Sequence, residues 1–444
     1  MRSILVALVL VLGFFTAHAQ EEPESFSLQE AVDYALQYNY SIINAERDLI
    51  DAQKQKWEVI ASGLPQISAA VSYQNQLKQP VNQIPAEFFG GEPGTFQEVI
   101  FGQAQSMNAT ATLRQQIFDG SYIVGIQATE AFLRFMENNR AKTDLEVRES
   151  VVTAYGNVLL AQEGVKIAQK NLASLEKTLF ETKRVYENGL GDEESVDQLR
   201  ITFASQENQL KSSQRLEIIA LQTLNVLLGR PVGSPLKLTD NLSDLTQSYI
   251  NYNLLESELV LEDNIDFRMV DNLNEQRKLE LRLAKSRALP TLNAFVNYGF
   301  TGFGDQFNFF QNDQDWFGSS VLGVDLRIPI FSSLGRSAST QRAKIAYDKA
   351  KTQKEETEQL IWLQHERAKS DYILAIEEYN TSKQNLELAE RIESKNQIKF
   401  SEGVATSFEL SQAQTQLYSA QAQYLNNMVR VINRKTELQN ILNK

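Results

Sequence analysis

Residues 64–73 read LPQISAAVSY, and residues 289–298 read LPTLNAFVNY. Pro65 matches Pro290 and Tyr73 matches Tyr298 at one spacing of 225, which marks an internal repeat. Farther along, Ile117 and Phe118 return as Ile330 and Phe331 at a spacing of 213, and Gly189 returns as Gly403 at 214. The change of spacing falls between the two strand motifs of each half, where a surface loop absorbs it most readily. Within each half the apolar positions alternate. Ile67, Ala69, Val71 and Tyr73 interleave with Gln66, Ser68, Ala70 and Ser72, and Met107, Ala109, Ala111 and Leu113 interleave with Asn108, Thr110, Thr112 and Arg114. The second half sets Leu322, Val324, Leu326 and Ile328 against Gly323, Asp325 and Arg327. Period two is the mark of a strand with two unlike faces, and roughly 9 to 11 residues is what a tilted strand needs to cross a bilayer. Residues 74–103 and 299–319, rich in Gly, Pro, Asn and aromatics, read as loops whose aromatic side chains suit a membrane interface.

After each strand pair the period changes. From Val147 through Val151, Ala154 and Val158 to Leu179, Thr182 and Tyr186, apolar or small residues follow alternating steps of four and three. Ala368, Tyr372, Ala375, Tyr379, Ser382, Leu386 and Ala389 obey the same rule, which is a heptad seam. All nine prolines lie outside residues 94–230 and 330–444, so both segments can run as unbroken helices. At 1.5 Å per residue the segment 121–187 is roughly 100 Å long. Gly189 and Gly403 sit where left-handed caps would end these helices and begin the returns, predicted at 192–228 and 406–442. Shorter helices are expected at 27–62 and about 264–288. The predicted divisions are a signal peptide at 1–19, a first repeat at 20–228, an equatorial linker at 229–263 carrying Pro231, Gly233 and Pro235, and a second repeat at 264–444.

Arg2, the apolar run from Ile4 to Phe15 and the triplet Ala17, His18, Ala19 have the three-part layout of a secretory signal, so the chain is expected to be exported. No later stretch reaches the roughly 20 apolar residues of a spanning helix, and any membrane part must therefore be strands. The chain has no cysteine, which removes disulfides, thiolate chemistry and a lipid-modified cysteine from consideration. His18 would leave with the signal, and His365 alone supplies no metal site or catalytic triad. A formal net charge of -13 disfavours nucleic acid. No enzymatic activity, metal or cofactor is expected.

Four strands cannot close a barrel, and an open edge in hydrocarbon leaves backbone groups unpaired at several kcal/mol each. Several copies around one axis solve this, and three would give a twelve-stranded barrel with room for water. Asn108, Thr110, Arg114, Asp325 and Arg327 supply the polar lumen face. The expected fold is thus mixed, an oligomeric β-barrel continued by a long α-helical coiled-coil tunnel, and a water-lined barrel on such helices is a conduit.

The duplicated order of helix, strand, strand, long helix, glycine turn and returning helix resembles the TolC-like outer-membrane efflux family. The matching motifs are the LPxI/L runs at Leu64 and Leu289, IFDG at 117–120 with IFSS at 330–333, and the turns NGL at 188–190 and EGV at 402–404. The resemblance implies a homotrimer in the outer membrane of a Gram-negative bacterium, reaching into the periplasm. It implies docking of Gly189, Leu190, Gly403 and Val404 on a periplasmic adaptor coupled to an inner-membrane transporter, for efflux or type I secretion. It also implies an acidic periplasmic gate six residues after each glycine. That position is Glu409 in the second half; in the first it is Ser195, with Asp197 two residues on. Glu409 can equally be an exposed carboxylate favoured by a helix N-terminus. A periplasmic coiled-coil adaptor or a structural surface protein would share the heptads but not the amphipathic strands.

Overall fold

The computed structural model describes residues 24–443, so the expected signal peptide lies outside the described residues. In chain order the first half forms β1 (Ser25–Phe26), α1 (Leu28–Tyr38), α2 (Tyr40–Ser62), β2 (Gln66–Asn75), β3 (Val81–Pro85), β4 (Phe96–Ile100), β5 (Gln105–Asp119), α3 (Gly120–Glu187) and α4 (Glu193–Leu227). There follow β6 (Lys237–Leu238), α5 (Leu242–Tyr249), α6 (Ile265–Ser286), β7 (Thr291–Gly304), β8 (Trp316–Arg327), α7 (Gly335–Ser401) and α8 (Ser407–Ile441). The described residues divide into two compact units, one of residues 47–139 and 266–358, the other of residues 24–46, 140–265 and 359–443. Each unit draws on both halves of the sequence.

The first unit is built on a four-stranded antiparallel sheet in the order β2-β5-β7-β8. The alternating runs are indeed its strands, and β2 pairs with β5 without interruption from Gln66↔Arg114 to Asn75↔Gln105. The strands of the second half run farther than their alternation suggested. Gly299 to Gly304 stay in β7 because the start of β5 is there to pair with them, and the second loop shrinks to residues 305–315. Nor is 74–103 a plain loop: β3 and β4 pair within it, from Val81↔Ile100 to Pro85↔Phe96.

In the second unit the seams are buried as expected. Val151, Val158, Leu175, Tyr372 and Ala375 are inaccessible, although Tyr186, the last seam position, is exposed. Leu175 of α3, Leu199 of α4 and Leu410 of α8 form one cluster, flanked by Phe400 of α7. All four helices meet there. The helix expected over 27–62 is broken at Asn39, which takes an extended ψ of 137°. Its Nδ2 donates to Leu227 O (2.7 Å) and its Oδ1 accepts from Ser41 N (2.8 Å), so one side chain caps the end of α4 and the start of α2. The linker is held to the long helices by two buried tyrosines. The Tyr155 hydroxyl lies 2.8 Å from Asp240 Oδ2, and the Tyr372 hydroxyl donates to Tyr249 O (2.6 Å) while accepting from Asn251 N (2.9 Å). Burial pushes the pKa of both phenols up.

Candidate functional site

Strand register decides which side chains share a face, because successive residues point to opposite sides. Asn108, Thr110 and Arg114 pair with Ser72, Ala70 and Gln66 on β2 and with Thr301, Gly299 and Phe295 on β7. Asp325 and Arg327 pair with Asn293 and Thr291, which have the same parity as Phe295. The five residues predicted for the lumen therefore fall on one face of the sheet. On the opposite face stand Ile67, Val71, Tyr298, Leu322, Val324 and Leu326, with Val71 71% and Leu322 76% exposed. Phe295 is an aromatic on the polar side that the alternation did not single out. A Cβ on its pairing partner Gly323 would come within 2.3 Å of the Phe295 ring, so the ring lies over the glycine. Among the described residues β2 and β8 pair on one side only.

At the far ends of α3 and α7 the chain turns twice in the same way. Gly189 (φ +72°) and Gly403 (φ +74°) are left-handed. Leu190 N donates to Val185 O (3.1 Å) and Gly189 N to Tyr186 O (2.8 Å); Val404 N donates to Lys399 O (2.8 Å) and Gly403 N to Phe400 O (3.0 Å). These are Schellman closures. A Cβ at either glycine would meet nothing within 4 Å, so the backbone angle alone calls for glycine. Leu190 and Val404, which follow them, are 82% and 73% exposed. Both turns border one groove of about 670 Å³, whose lining includes Leu190, Asp192, Gly403, Thr406 and Phe408.

The returning helices start differently. Thr406 and Glu409 make a capping box: Glu409 N donates to Thr406 Oγ1 (3.2 Å), and Thr406 N to Glu409 Oε2 (2.8 Å). The Thr406 amide holds the Glu409 carboxyl below its ordinary range. In the first hairpin the cap is Asp192, which accepts from Ser195 N (2.7 Å) and Ser195 Oγ (3.0 Å) and is held low by that amide. Ser195 and Glu409 are thus the same helical position, the third residue of α4 and of α8. The acid and the hydroxyl have exchanged places, an exchange that a fixed offset from the glycine does not reveal. Asp197 is exposed and paired with Arg200 at 3.2 Å. His365 is buried beside Trp362, with Glu366 Oε1 3.3 Å from its Nδ1. No group of metal-binding side chains and no helix apolar enough to cross a membrane occurs among the described residues.

A family model described as outer membrane efflux protein matches residues 31–230 and 257–444. The chain is 24% identical over 328 residues to the probable efflux pump outer membrane protein TtgC of Pseudomonas putida, covering 72% of this chain and 63% of that one. It is 25% identical over 256 residues to the alkaline protease secretion protein AprF of Pseudomonas aeruginosa, covering 54% and 50% respectively. The chain thus spans less than two thirds of the length of these relatives. Among solved structures it superposes on the outer membrane protein VceC of Vibrio cholerae with a TM-score of 0.71 at 18% identity, covering 94% of this chain and 95% of VceC. The CmeC outer membrane channel of Campylobacter jejuni gives 0.73 at 15% identity, covering 95% and 90%. These likenesses establish the fold, a mostly helical chain with a smaller sheet.

Proposed function

This chain belongs to the outer membrane efflux protein family, and from that premise we propose that it is the outer-membrane channel of a tripartite efflux or type I secretion system. It would conduct small molecules or polypeptides from a periplasmic pump complex to the exterior. Two unpaired edges on a sheet with one polar and one apolar face carry this reading. In hydrocarbon each unpaired backbone group costs several kcal/mol, and pairing β2 of one copy with β8 of the next removes every edge once the ring closes. Three copies close a twelve-stranded barrel in which Asn108, Thr110, Arg114, Asp325 and Arg327 face water and Val71 and Val324 face lipid. The two repeats, 20–228 and 264–444, contribute equally to its wall, with 229–263 between them.

The hairpin tips at Gly189, Leu190, Gly403 and Val404 dock a periplasmic adaptor that links the channel to an inner-membrane transporter. Glu409, and at lower weight Asp197, lines the periplasmic gate. The relatives carry printed names for both kinds of cargo, an efflux pump and a protease secretion protein. Mild detergent extraction of outer membranes tests the reading directly. Recovery as a trimer supports it, and a soluble periplasmic monomer would end it.

A further inference from the structure

The rim of the sheet farthest from the helices carries an aromatic clasp. There the pairs Tyr73↔Met107, Met107↔Gly302 and Gly302↔Trp316 make one continuous rung across β2, β5, β7 and β8, on the same face as Val71, Tyr298 and Val324. The loop of residues 305–315 folds back onto this rung. The Phe309 ring lies 5.9 Å from Tyr73, 6.4 Å from Trp316 and 5.7 Å from Phe307. Gly302 makes room for it, since a Cβ there would come within 3.3 Å of the Phe309 ring and of Gln314 Nε2. Gln314 Nε2 in turn donates to Phe303 O (3.1 Å) and Asp315 O (2.8 Å), which fixes the loop's return to β8. In consequence Phe309 is 2% and Met107 7% exposed, on a face where Val71, Tyr298 and Val324 are open. Phe310 meets the cluster only through Phe307, edge-on at 5.9 Å, and is 81% exposed.

A loop that served as a lid would pack on the polar face, over the rung of Ser72, Asn108, Thr301 and Phe317. This one packs on the other side. We propose that residues 305–315 form a clasp lying in the lipid headgroup layer of the outer leaflet, with Phe310 and Phe307 set at the boundary of headgroups and acyl chains and Met107, in the last rung to cross all four strands, sealed from lipid by Phe309. Asp305, Asp313 and Asp315 keep the loop at the interface, because carboxylates are not admitted to the hydrocarbon core, while aromatic rings favour that boundary. The clasp also spans the sheet from β8 to the edge strand β2, so it steadies the register of that edge before a neighbouring copy pairs with it.

This inference rests on the channel reading above, and its test separates the two. The native tryptophans Trp57, Trp316 and Trp362 are replaced with Phe, and Phe310→Trp, Val324→Trp and Asp325→Trp are each placed in that background. Every variant is reconstituted in phosphatidylcholine vesicles whose chains are brominated either near the headgroup or near the terminal methyl. The expected result is at least a two-fold loss of Phe310→Trp emission with bromine near the headgroup and a smaller loss with bromine near the methyl. Val324→Trp should be quenched and Asp325→Trp should not. Unquenched Phe310→Trp beside quenched Val324→Trp places the loop in water and overturns the clasp alone. Unquenched Val324→Trp overturns the channel reading and the clasp with it. Phe310 is exposed and its ring pair to Phe307 lies outside the Phe309 contacts, and Trp316→Phe keeps an aromatic ring on the rung, so neither change empties the Phe309 site.

Discussion

The two hairpin tips end alike and begin anew differently. Both close with a left-handed glycine in a Schellman turn, and the helices flanking both share the cluster of Leu175, Leu199 and Leu410. Yet the first restarts on an Asp cap with Ser three residues on, and the second on a Thr cap with Glu three residues on. The backbone requirement has been kept in both copies, because a reversal of this kind needs one residue with positive φ and an acceptor for the third amide of the next helix. Either an acid or a hydroxyl can be that acceptor. The difference therefore teaches that the capping carboxylate can stand at the third helical position in one tip and at the cap in the other without leaving the tip.

The largest test of this comparison asks whether the tips are separate at all. Leu199→Ala and Leu410→Ala each remove a fully buried side chain from the shared cluster, at a cost of about 3 kcal/mol. If the cluster joins the tips, hydrogen exchange should quicken in residues 185–195 and 399–409 together for either variant. Loosening confined to the mutated hairpin would break the comparison into two independent ends.

Next in size are the glycines. Gly189→Val and Gly403→Val should each cost roughly 1 kcal/mol or somewhat more from the left-handed backbone alone, since no neighbour obstructs a side chain at either place. On the channel reading proposed above, the two should behave equally, leaving the yield of assembled channel unchanged while lowering export and cross-linking to the adaptor. Normal export by both variants would remove the tips from the docking surface.

What the sequence made legible follows from period. Alternation located β2, β5 and β8 and their polar face, the repeated motif at 289–298 located β7, and the heptad steps located the buried line from Val147 to Leu179. Period says nothing of single residues that act through hydrogen bonds. Asn39 breaks a helix because its amide serves two backbone ends at once, and the capping carboxylate of the first tip is Asp192, where counting from the glycine for an acidic gate pointed to Ser195 and Asp197. The full length of β7 was hidden for a third reason: Gly299 and Gly302 dilute the alternation, yet a partner strand supplies their pairing. The clasp on Gly302 depends on a chain reversal that composition alone does not place.

A smaller effect separates the caps by pH. Asp192 and Glu409 are both held below the ordinary carboxylate range of about 4 by backbone amides. A lowered pKa in the folded state means that the stabilisation is present above the unfolded value and is lost as pH falls through the folded value. In the first tip the titrating group accepts from the third amide, Ser195 N; in the second it accepts from the cap amide, Thr406 N, while Glu409 N is bonded to a hydroxyl that does not titrate. Amide shifts of selectively labelled protein below pH 4 should therefore move most at Ser195 and Thr406 and least at Glu409. An equally large movement at Glu409 would mean that its box opens as a unit.

The finest distinction concerns conduction. Equal charges gathered around a three-fold axis repel one another and attract cations, so a carboxylate ring at the periplasmic end should favour cation passage and divalent block. Glu409 and Asp192 belong to the tips, whereas the charge of Asp197 is already matched by Arg200. Solvent screening makes all these effects modest. Single-channel recording with and without divalent cations should rank the loss of block as Glu409→Ala first, Asp192→Ala second and Asp197→Ala last. Exchanging the caps, with Asp192→Thr and Ser195→Glu in one chain, moves the first tip's carboxylate to the position that Glu409 holds and should strengthen the block beyond the native value. If Glu409→Ala leaves both selectivity and block unchanged, the carboxylate serves the helix start alone and the constriction lies elsewhere; if the exchange weakens the block, it is the cap position that faces the axis.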